Sequence, residues 1–383
     1  MSCFESLSTR AARCSEQNYA PLASFEAVIR ESGVRLQPVS KTGDDWEILR
    51  RTQENWIGIE RPGDLERFKP TAGIPPLAPD DFVRHRPDVH WVLADADDGL
   101  AARCSLWWTS TPTFRGDRLG FIGHYAARDA ATARSLLTQA LAALSVKGCA
   151  LAVAPIDGST WRRYRFITDR GPEPLFLLEP DNQDEWPAHF TDQRFTPWAC
   201  YQSAVTTELT RNDTRLDRIA SRMRRAGVII RPLDLSRVDE EVRRIYEVTV
   251  ASFRRSFLFE PLEEAAFLEE YRPILRYVEP SVVLMAEQRG RPVGFVFAVP
   301  DWLQRQRGGH IDTIIVKTVA VVPGRSYAGL GQLLASRCEH AAAALGYARA
   351  IHALMHDAGP SRNISERYAQ TIRRYTLFAR ALP

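Results

Sequence analysis

The spacing of apolar residues alternates along the chain between the two-residue period of strands and the longer period of helices. In the first half it predicts strands over 90–94, 101–110, 119–124, 150–154 and 201–206, with helices over 130–144 and 161–166. In the second half it predicts strands over 228–232, 282–287, 292–299, 313–322, 349–355 and 375–381, with helices over 238–252, 262–277, 331–343 and 361–372. The order of elements is similar in both halves, which indicates an internal repeat.

The repeat divides the chain into four segments. These are an N-terminal arm (1–42), a first domain (43–205), a connector (206–227) and a second domain (228–383). The arm contains a short predicted helix over 24–32, with Ser24 as its N-cap. The connector contains a basic helix over 215–227 with an apolar stripe. This helix is either a solvated surface helix or a contact for phosphate or RNA.

The most informative stretch is 316–334, where an apolar strand ends at Pro323 and a loop leads into a helix. The loop contains Gly324, Gly329 and Gly331. The first N–H groups of a helix lack acceptors within the helix, and the helix dipole favours negative charge there. The stretch therefore predicts an anion site, and a phosphate-bearing ligand is the natural candidate.

The composition is that of an ordinary globular protein, with 45% hydrophobic and 25% charged residues. A length of 383 residues favours two or three domains. The net charge of +3 argues against a broad nucleic-acid-binding surface, although it permits a local basic patch. The six cysteines form no C-x-x-C pair and have no histidine at zinc-ligand spacing, so we expect reduced thiols, no metal and a cytoplasmic location. We expect neither a signal peptide nor a membrane span.

The order of elements and the glycine loop resemble the GNAT N-acetyltransferase superfamily. In that family the loop has the form Q/R-x-x-G-x-G/A, and residues 326–331 have the sequence S-Y-A-G-L-G. Both glycines match, whereas Ser326 stands where the family has Gln or Arg, with Arg325 beside it. An Asn and a Tyr that the family has farther on correspond to Ser361 and Tyr368, of which only the tyrosine matches.

Other stretches are similar to a bacterial group of tandem GNAT proteins, in which the first half resembles a degenerate GNAT domain. These stretches are residues 317–323, 350–357 and 373–380. The resemblance implies an α/β fold with two tandem GNAT-like domains, each a mixed, mostly antiparallel sheet flanked by helices. The first half's equivalent loop, 124–137, has no glycine for close approach to phosphates. Because the second half has one strand fewer than the family after its last helix, we expect the first half or the connector, with residues 198–209 as the candidate segment, to cover the open sheet edge, which would make the halves inseparable.

The resemblance implies that acetyl-CoA or another acyl-CoA is the donor substrate. The glycine loop would bind its pyrophosphate, and the backbone of the preceding strand, beside a β-bulge near residues 319–321, would bind its pantetheine and carbonyl. The predicted donor-binding residues are Val319, Ala320, Val321, Arg325, Ser326, Tyr327, Ala328, Gly329, Leu330, Gly331, Gln332 and Ser361.

Acyl transfer to an amine requires loss of a proton from the amine, stabilisation of the carbonyl oxygen and protonation of the leaving thiolate. The family spacing predicts that Tyr368, on the last helix, protonates the thiolate, although the same position suits packing against the sheet. The candidates for the general base are Asp312, His356, His310, Asp357 and Glu287. Each of these is also typical of a turn or cap, and we include Tyr368, Asp312 and His356 in the predicted catalytic set.

The acceptor pocket is predicted around residues 253–261, with the sequence F-R-R-S-F-L-F-E-P. This mixture indicates either an apolar cleft with a basic rim for an anionic acceptor, or core phenylalanines with solvated arginines. The predicted substrate-binding residues are Phe253, Arg254, Phe257, Glu287 and Lys317.

We therefore expect an N-acyltransferase that transfers an acyl group, with acetyl the first candidate, from acyl-CoA to an amine of a small molecule or peptide by direct attack in a ternary complex. One alternative is an aminoacyl-tRNA-dependent, amide-forming transferase, which Ser326 and the basic helix permit. Another is a catalytically inactive GNAT-like binding protein, which the glycine-free loop of the first half suggests.

Overall fold

The computed structural model of the protein describes residues 56–59, 65, 69–75, 77–94, 99–359, 364 and 366–383. The predicted arm over 1–42 and its helix over 24–32 lie outside these residues. Within the described part of the chain, no helix is both long and apolar enough to cross a bilayer.

The secondary structure alternates between strands and helices in both halves. The described helices are α1 (Pro79–His85), α2 (Ala130–Val146), α3 (Trp186–Asp192), α4 (Thr214–Arg225), α5 (Val238–Phe253), α6 (Glu264–Tyr271), α7 (Trp302–Gln306) and α8 (Leu330–Ala344). The described strands are β1 (Trp56–Ile59), β2 (Val89–Ala94), β3 (Leu100–Trp107), β4 (Thr113–Phe114), β5 (Asp117–Ala127), β6 (Leu151–Ala154), β7 (Phe166–Asp169), β8 (Thr196–Thr206), β9 (Val228–Pro232), β10 (Leu284–Gln288), β11 (Arg291–Pro300), β12 (Thr313–Val321), β13 (Arg349–His356) and β14 (Gln370–Ala381).

One sheet runs through both halves, and residues Ile57–Leu382 form one compact unit. The strand order is β1-β2-β3-β5-β6-β14-β8-β13-β12-β11-β10-β9, with β4 paired to β5 and β7 paired to β14. The pairs β5–β6 and β12–β13 are parallel. The other pairs with a described register are antiparallel. The predicted α/β fold, with a mixed and mostly antiparallel sheet flanked by helices, is confirmed.

The two halves exchange their last strands. β8 ends the first half but pairs with β13 of the second, where Val205 lies opposite Ile351. β14 ends the chain but pairs with β6 of the first half, where Ala379 lies opposite Val153. The prediction that residues 198–209 cover the open edge of the second half is therefore confirmed. The proposed domain boundaries themselves stay a prediction.

Different helices cover the two faces of the sheet in the second half. Val248 of α5 and Phe267 of α6 share one buried cluster with Ile315 of β12. Leu334 of α8 shares another with Ile314. Neighbouring strand residues thus point to opposite faces, as the two-residue period of a strand requires. Truncating such a fully buried side chain lowers the free energy of unfolding by about 2–5 kcal/mol. The contacts with both helical layers therefore hold β12 in place.

A segment of the first half also enters the core of the second. Phe176 and Leu177 belong to the cluster on the α5 side, and the Leu177 N–H donates to Asp301 Oδ1 over 2.9 Å. Glu179, just beyond, accepts from Arg373 Nη1 of β14 over 2.6 Å, and both side chains are fully buried. The halves therefore share a core and an ion pair as well as a sheet.

Two predicted helices are wrong. The helix predicted over 361–372 is a turn at 366–368 followed by the start of β14 at Gln370. Pairing of these residues with β8 outweighs their local helical spacing. The short helix predicted over 161–166 is an irregular turn, in which Arg165 has a φ of 74°. A right-handed helix does not accommodate that angle.

Candidate active site

A β-bulge in β12 opens the sheet of the second half. The register with β11 shifts between Val316 and Thr318, which leaves Lys317 as the extra residue. The parallel pairing of β12 with β13 ends at Val316 and His352, after which β13 continues alongside β8 only. We call the gap between β12 and β13 beyond this last pair the slot. The prediction of a bulge near residues 319–321 is thus wrong in position, because the bulge lies two residues earlier.

The glycine loop follows β12 at the far end of the slot. Gly329 is the N-cap of α8, with a φ of 82° and no side-chain cap. A Cβ atom on Gly329 would lie 2.7 Å from Ile219 Cδ1 of α4, so backbone conformation and packing both require glycine there. A Cβ on Gly331 would make only ordinary contacts, the nearest at 3.4 Å from Val319 Cγ1. The fold therefore does not require glycine at position 331.

The basic connector helix α4 packs against this loop. Arg222 of α4 donates to the carbonyl oxygen of Ala328, and Tyr327 Oη donates to Gln288 Oε1 over 2.7 Å on the other side. Arg222, Arg325 and Ser326 are exposed. The basic helix was predictable from the sequence, whereas its contact with the loop was not, because Arg222 and Ala328 are 106 residues apart. The loop is thus held from both sides and has arginines beside it.

A buried polar cluster lies on the α8 side of the slot. Glu339 of α8 is fully buried, with Arg211 Nη1 2.7 Å from its Oε2 and His352 Nε2 2.8 Å from its Oε1. Tyr368 Oη donates weakly to Oε1 over 3.4 Å, and the Arg211 guanidinium lies 3.2 Å from the centre of the Tyr368 ring. Burial, and then the Glu339 carboxylate, raise the pKa of Tyr368 well above its usual range. The phenol therefore keeps its proton near neutral pH.

Tyr368 is positioned by this cluster rather than by a helix, because residues 366–368 form a turn. Its ring centroid is 6.0 Å from that of His352, which belongs to the last residue pair before the slot. The predicted catalytic tyrosine thus lies beside the start of the slot. Ser361, the other residue taken from that family spacing, lies outside the described residues.

Lys317 extends from the bulge toward the first half. Its Nζ donates to the carbonyl oxygen of Leu178 over 2.8 Å, and the side chain is half-buried. Arg165 donates to the carbonyl oxygen of Leu354 on β13 over 3.2 Å. Burial, and then the nearby Arg165, lower the pKa of Lys317 to about 7. A lysine that is largely neutral at physiological pH therefore lies where the slot begins.

His356 ends β13 in an aromatic environment. Its ring centroid is 4.9 Å from that of Tyr201 and 6.1 Å from that of Phe257. The Ala358 N–H donates to Nδ1 over 3.1 Å, so the neutral ring carries its proton on Nε2. Burial lowers the pKa of His356 and favours that neutral form. Nε2 is buried without a hydrogen-bond partner in the described part of the chain, so this ring is arranged as a donor rather than as a base.

The predicted acceptor segment reaches across both halves. The ring centroid of Phe257 lies 4.6 Å from that of Trp198 and 6.3 Å from that of Phe114, in edge-on contacts. Both partners belong to the first half. Phe253 packs against the core on the α5 side, whereas Arg254 is exposed. Only Phe257 of these residues is brought close to His356 at the end of β13.

Two other predicted residues lie away from the slot. Asp312 precedes β12 at the end remote from the glycine loop, where the hydroxyl of Thr313 donates to it over 2.7 Å and is the main cause of its lowered pKa. Glu287 lies on β10, two strands from β12, and accepts from Arg231 and from Arg244, the latter over 2.6 Å. Both carboxylates are engaged in local contacts rather than directed toward the slot.

The part of the chain that forms this site is similar to known proteins. Residues 242–368 match the model of the acetyltransferase (GNAT) family. The GCN5-related glucosamine N-acetyltransferase region of a fungal multi-domain GH3 β-N-acetylglucosaminidase is similar with a TM-score of 0.51 and 14% identity over 86% of this chain. The chain spans only 38% of the length of that protein.

Two other solved structures match with lower TM-scores. A GCN5-related N-acetyltransferase from Sphaerobacter thermophilus has a TM-score of 0.43 and 12% identity, over 86% of this chain and 96% of its own. A tandem GNAT protein from the clavulanic acid biosynthesis pathway has a TM-score of 0.46 and 13% identity, over 85% of this chain and 98% of its own. The search among curated proteins found no match. The family model runs from α5 to the turn before β14, so the part of the chain that matches the GNAT acetyltransferase family includes the bulge, the slot and the glycine loop.

Proposed function

We propose that the protein is an N-acyltransferase that transfers an acyl group from acyl-CoA to an amine of a small molecule or peptide. The proposal rests on one observation, namely that three features follow one another along the chain. These are the bulge at Lys317, the free edge of β12 along the slot and the uncapped helix N-terminus at Gly329. A bulge re-aims backbone groups, a strand edge binds amides, and a helix N-terminus binds phosphate. Acyl-CoA carries a thioester, two amides and phosphates in that order.

The phosphates would be bound by the backbone of the first turn of α8. Gly331 leaves space for their approach, and Arg222 and Arg325 supply positive charge beside the loop. Ser326 lacks the side chain that the family pattern has at this position, and the neighbouring arginines offset that loss because guanidinium groups pair well with phosphate.

In the reaction, the acceptor amine attacks the carbonyl carbon of the thioester and gives up one proton to solvent, a C–N bond forms, the C–S bond breaks with its electron pair on sulfur, and the thiolate takes up a proton to give the CoA thiol. In our proposal Tyr368 supplies that proton, because its ring lies beside His352 at the start of the slot and its phenol is protonated near neutral pH. The Nε2–H of His356, which has no hydrogen-bond partner among the described residues, lies at the C-terminal end of β13 and would bind an oxygen of the acceptor. Asp312 is left out of the proposed mechanism because it lies at the other end of β12.

We infer that the first half holds no second acyl-CoA. The first half has a comparable bulge at His124, where the register of β5 with β3 shifts. The helix that follows, α2, is capped by Asp129, whose side chain accepts from the Thr132 N–H over 2.8 Å. A carboxylate thus occupies the position that Gly329 has in the second half, and it would repel a phosphate.

The role of Tyr368 is tested by Tyr368→Phe. The variant keeps the ring beneath Arg211 and loses only the hydroxyl. We expect kcat to fall by about 10²-fold or more, within the range for loss of a general acid, with little change in the KM for acetyl-CoA. Release of the CoA thiol in the presence of a panel of primary amines measures both constants. Tyr246→Phe, which loses a hydroxyl bound to Leu262 away from the slot, serves as the control. An unchanged kcat in Tyr368→Phe would rule out the assigned role.

For Glu287 we expect a substitution to change the stability of the fold rather than the activity. Because it is held by Arg231 and Arg244 on β10, we expect Glu287→Gln to lower the free energy of unfolding by about 1–2 kcal/mol and to leave kcat within about twofold. Chemical denaturation and the same thiol-release assay measure the two quantities. A loss of activity without a loss of stability would return Glu287 to the list of substrate-binding residues.

A further inference from the structure

Lys317 is a rare residue type in this chain. Of its 50 lysine and arginine residues, only four are lysines, namely Lys41, Lys69, Lys147 and Lys317. An arginine stays charged in a protein, whereas a lysine can lose its proton when it is buried. At the bulge the chain thus has a cation that can become a neutral amine.

The backbone of Lys317 lies at the start of the slot, and its side chain extends from there toward Leu178. Lys317 is the extra residue of the bulge, next to the last pair between β12 and β13, Val316 and His352. Its Nζ donates one N–H to the carbonyl oxygen of Leu178 over 2.8 Å. In the neutral amine this contact leaves the nitrogen lone pair free to attack an electrophile.

Burial and the nearby Arg165 lower the pKa of Lys317 and favour its neutral form, and the Glu179 carboxylate acts against them. With a pKa of about 7, roughly three-quarters of the Lys317 side chains are neutral at about pH 7.5, against about one in a thousand for an ordinary lysine with a pKa near 10.4. The nearby Arg165 opposes a second positive charge, and it is fixed by its bond to the Leu354 carbonyl oxygen. The amine therefore combines placement at the slot with nucleophilic character.

We propose that Lys317 is an internal acyl acceptor, which takes the acyl group from acyl-CoA bound in the slot. This inference rests on the proposed function. The Nζ lone pair attacks the thioester carbonyl carbon, a C–N bond forms, and the C–S bond breaks with its electron pair on sulfur. The amine gives up one proton, the thiolate takes one up, and the products are an ε-N-acyl-lysine and the CoA thiol. Acylation at this place removes the neutral amine and fills the start of the slot.

The test uses the full chain and acetyl-CoA, followed by cleavage after arginine and mass spectrometry. Such cleavage releases Lys317 within residues 308–325, which contain no other lysine. At about pH 7.5 we expect Lys317 to be acetylated at least about 100-fold faster than exposed Lys69, in line with the difference in neutral fraction. The rate at Lys317 should rise with pH through about 7 and then level off, because the neutral amine is the reacting form.

Two variants and one binding measurement separate the outcomes. Lys317→Arg should take up no acetyl group at that peptide, and Gly331→Glu, designed to prevent donor binding, should lose the rate advantage of Lys317. If acetyl-CoA binds by calorimetry but Lys317 reacts no faster than Lys69, the inference is overturned while the proposed function stands. The same rate in Gly331→Glu would also overturn it, because the reaction would not use the slot. If acetyl-CoA does not bind to the wild-type chain at all, both proposals are contradicted.

Discussion

Gly331→Glu is expected to weaken the binding of acetyl-CoA by more than about 100-fold, which corresponds to about 2.7 kcal/mol. A side chain at this position points into the space beside β12, with Val319 Cγ1 3.4 Å and Val321 Cγ2 3.7 Å from its Cβ. A carboxylate there both fills the space and places a negative charge where the phosphates would bind. The fold itself should not suffer, because an acidic residue in the first turn of a helix is stabilising by about 0.3–1 kcal/mol.

Because Gly331→Glu should weaken the binding of acetyl-CoA without lowering the stability of the fold, a loss of binding cannot be confused with unfolding. Calorimetry with acetyl-CoA should give one site per wild-type chain and no detectable binding to Gly331→Glu, while thermal unfolding shows that the variant is folded. Gly331→Gln has the same size without the charge, and we expect it to lie between the two. Gly329 is less suitable, because its φ of 82° and its contact with Ile219 make any substitution disruptive. Unchanged affinity in a folded Gly331→Glu would show that the donor does not use this loop.

Arg373→Met is expected to lower the free energy of unfolding by about 3–5 kcal/mol, the usual cost of removing one partner of a buried ion pair. Arg373 is 1% exposed and donates to Glu179 Oε2 over 2.6 Å and to the carbonyl oxygen of Arg170 over 2.7 Å. These contacts join the last strand of the chain to the first-half segment that enters the core of the second half. Without Arg373, the Glu179 carboxylate remains buried and loses the guanidinium that pairs with it, while the Tyr375 hydroxyl still donates to it.

A double variant distinguishes this ion pair from general packing. Arg373→Met combined with Glu179→Gln leaves no buried charge, so we expect it to be more stable than Arg373→Met alone by about 1–2 kcal/mol. Denaturant unfolding followed by circular dichroism measures the wild type, the two single variants and the double variant. If Arg373→Met costs less than about 1 kcal/mol, or if the double variant is simply the sum of the single ones, the halves are not joined in the way described.

Most of the fold was predictable because the elements follow local patterns. The strand β9 (Val228–Pro232) and the helix α5 (Val238–Phe253) agree with the sequence-based bounds to within one residue. The exchange of β8 was expected because an open sheet edge is costly. The helix predicted over 361–372 failed because β14 obtains its hydrogen bonds from β8, more than 150 residues earlier in the chain, and no local pattern contains that information.

The candidate site was likewise predictable where it depends on local sequence and unpredictable where it depends on long-range contacts. The glycine loop was predictable, because a loop, a helix N-terminus and their glycines are adjacent in sequence. The contacts that give Lys317 and Tyr368 their chemistry were not. Lys317 is 139 residues from Leu178, and Tyr368 depends on Glu339 of another element for its pKa. Burial and charge at such positions exist only after the two halves have packed together.

The most direct test of the account is a crystal structure of the chain with acetyl-CoA. We expect the pyrophosphate at the first turn of α8 beside Gly331, the pantetheine between β12 and β13, and the thioester beside Lys317 and Tyr368. An empty slot at saturating acetyl-CoA would contradict the central claim. It would do so most strongly if the same protein bound aminoacyl-tRNA with steep salt dependence through the arginines of α4.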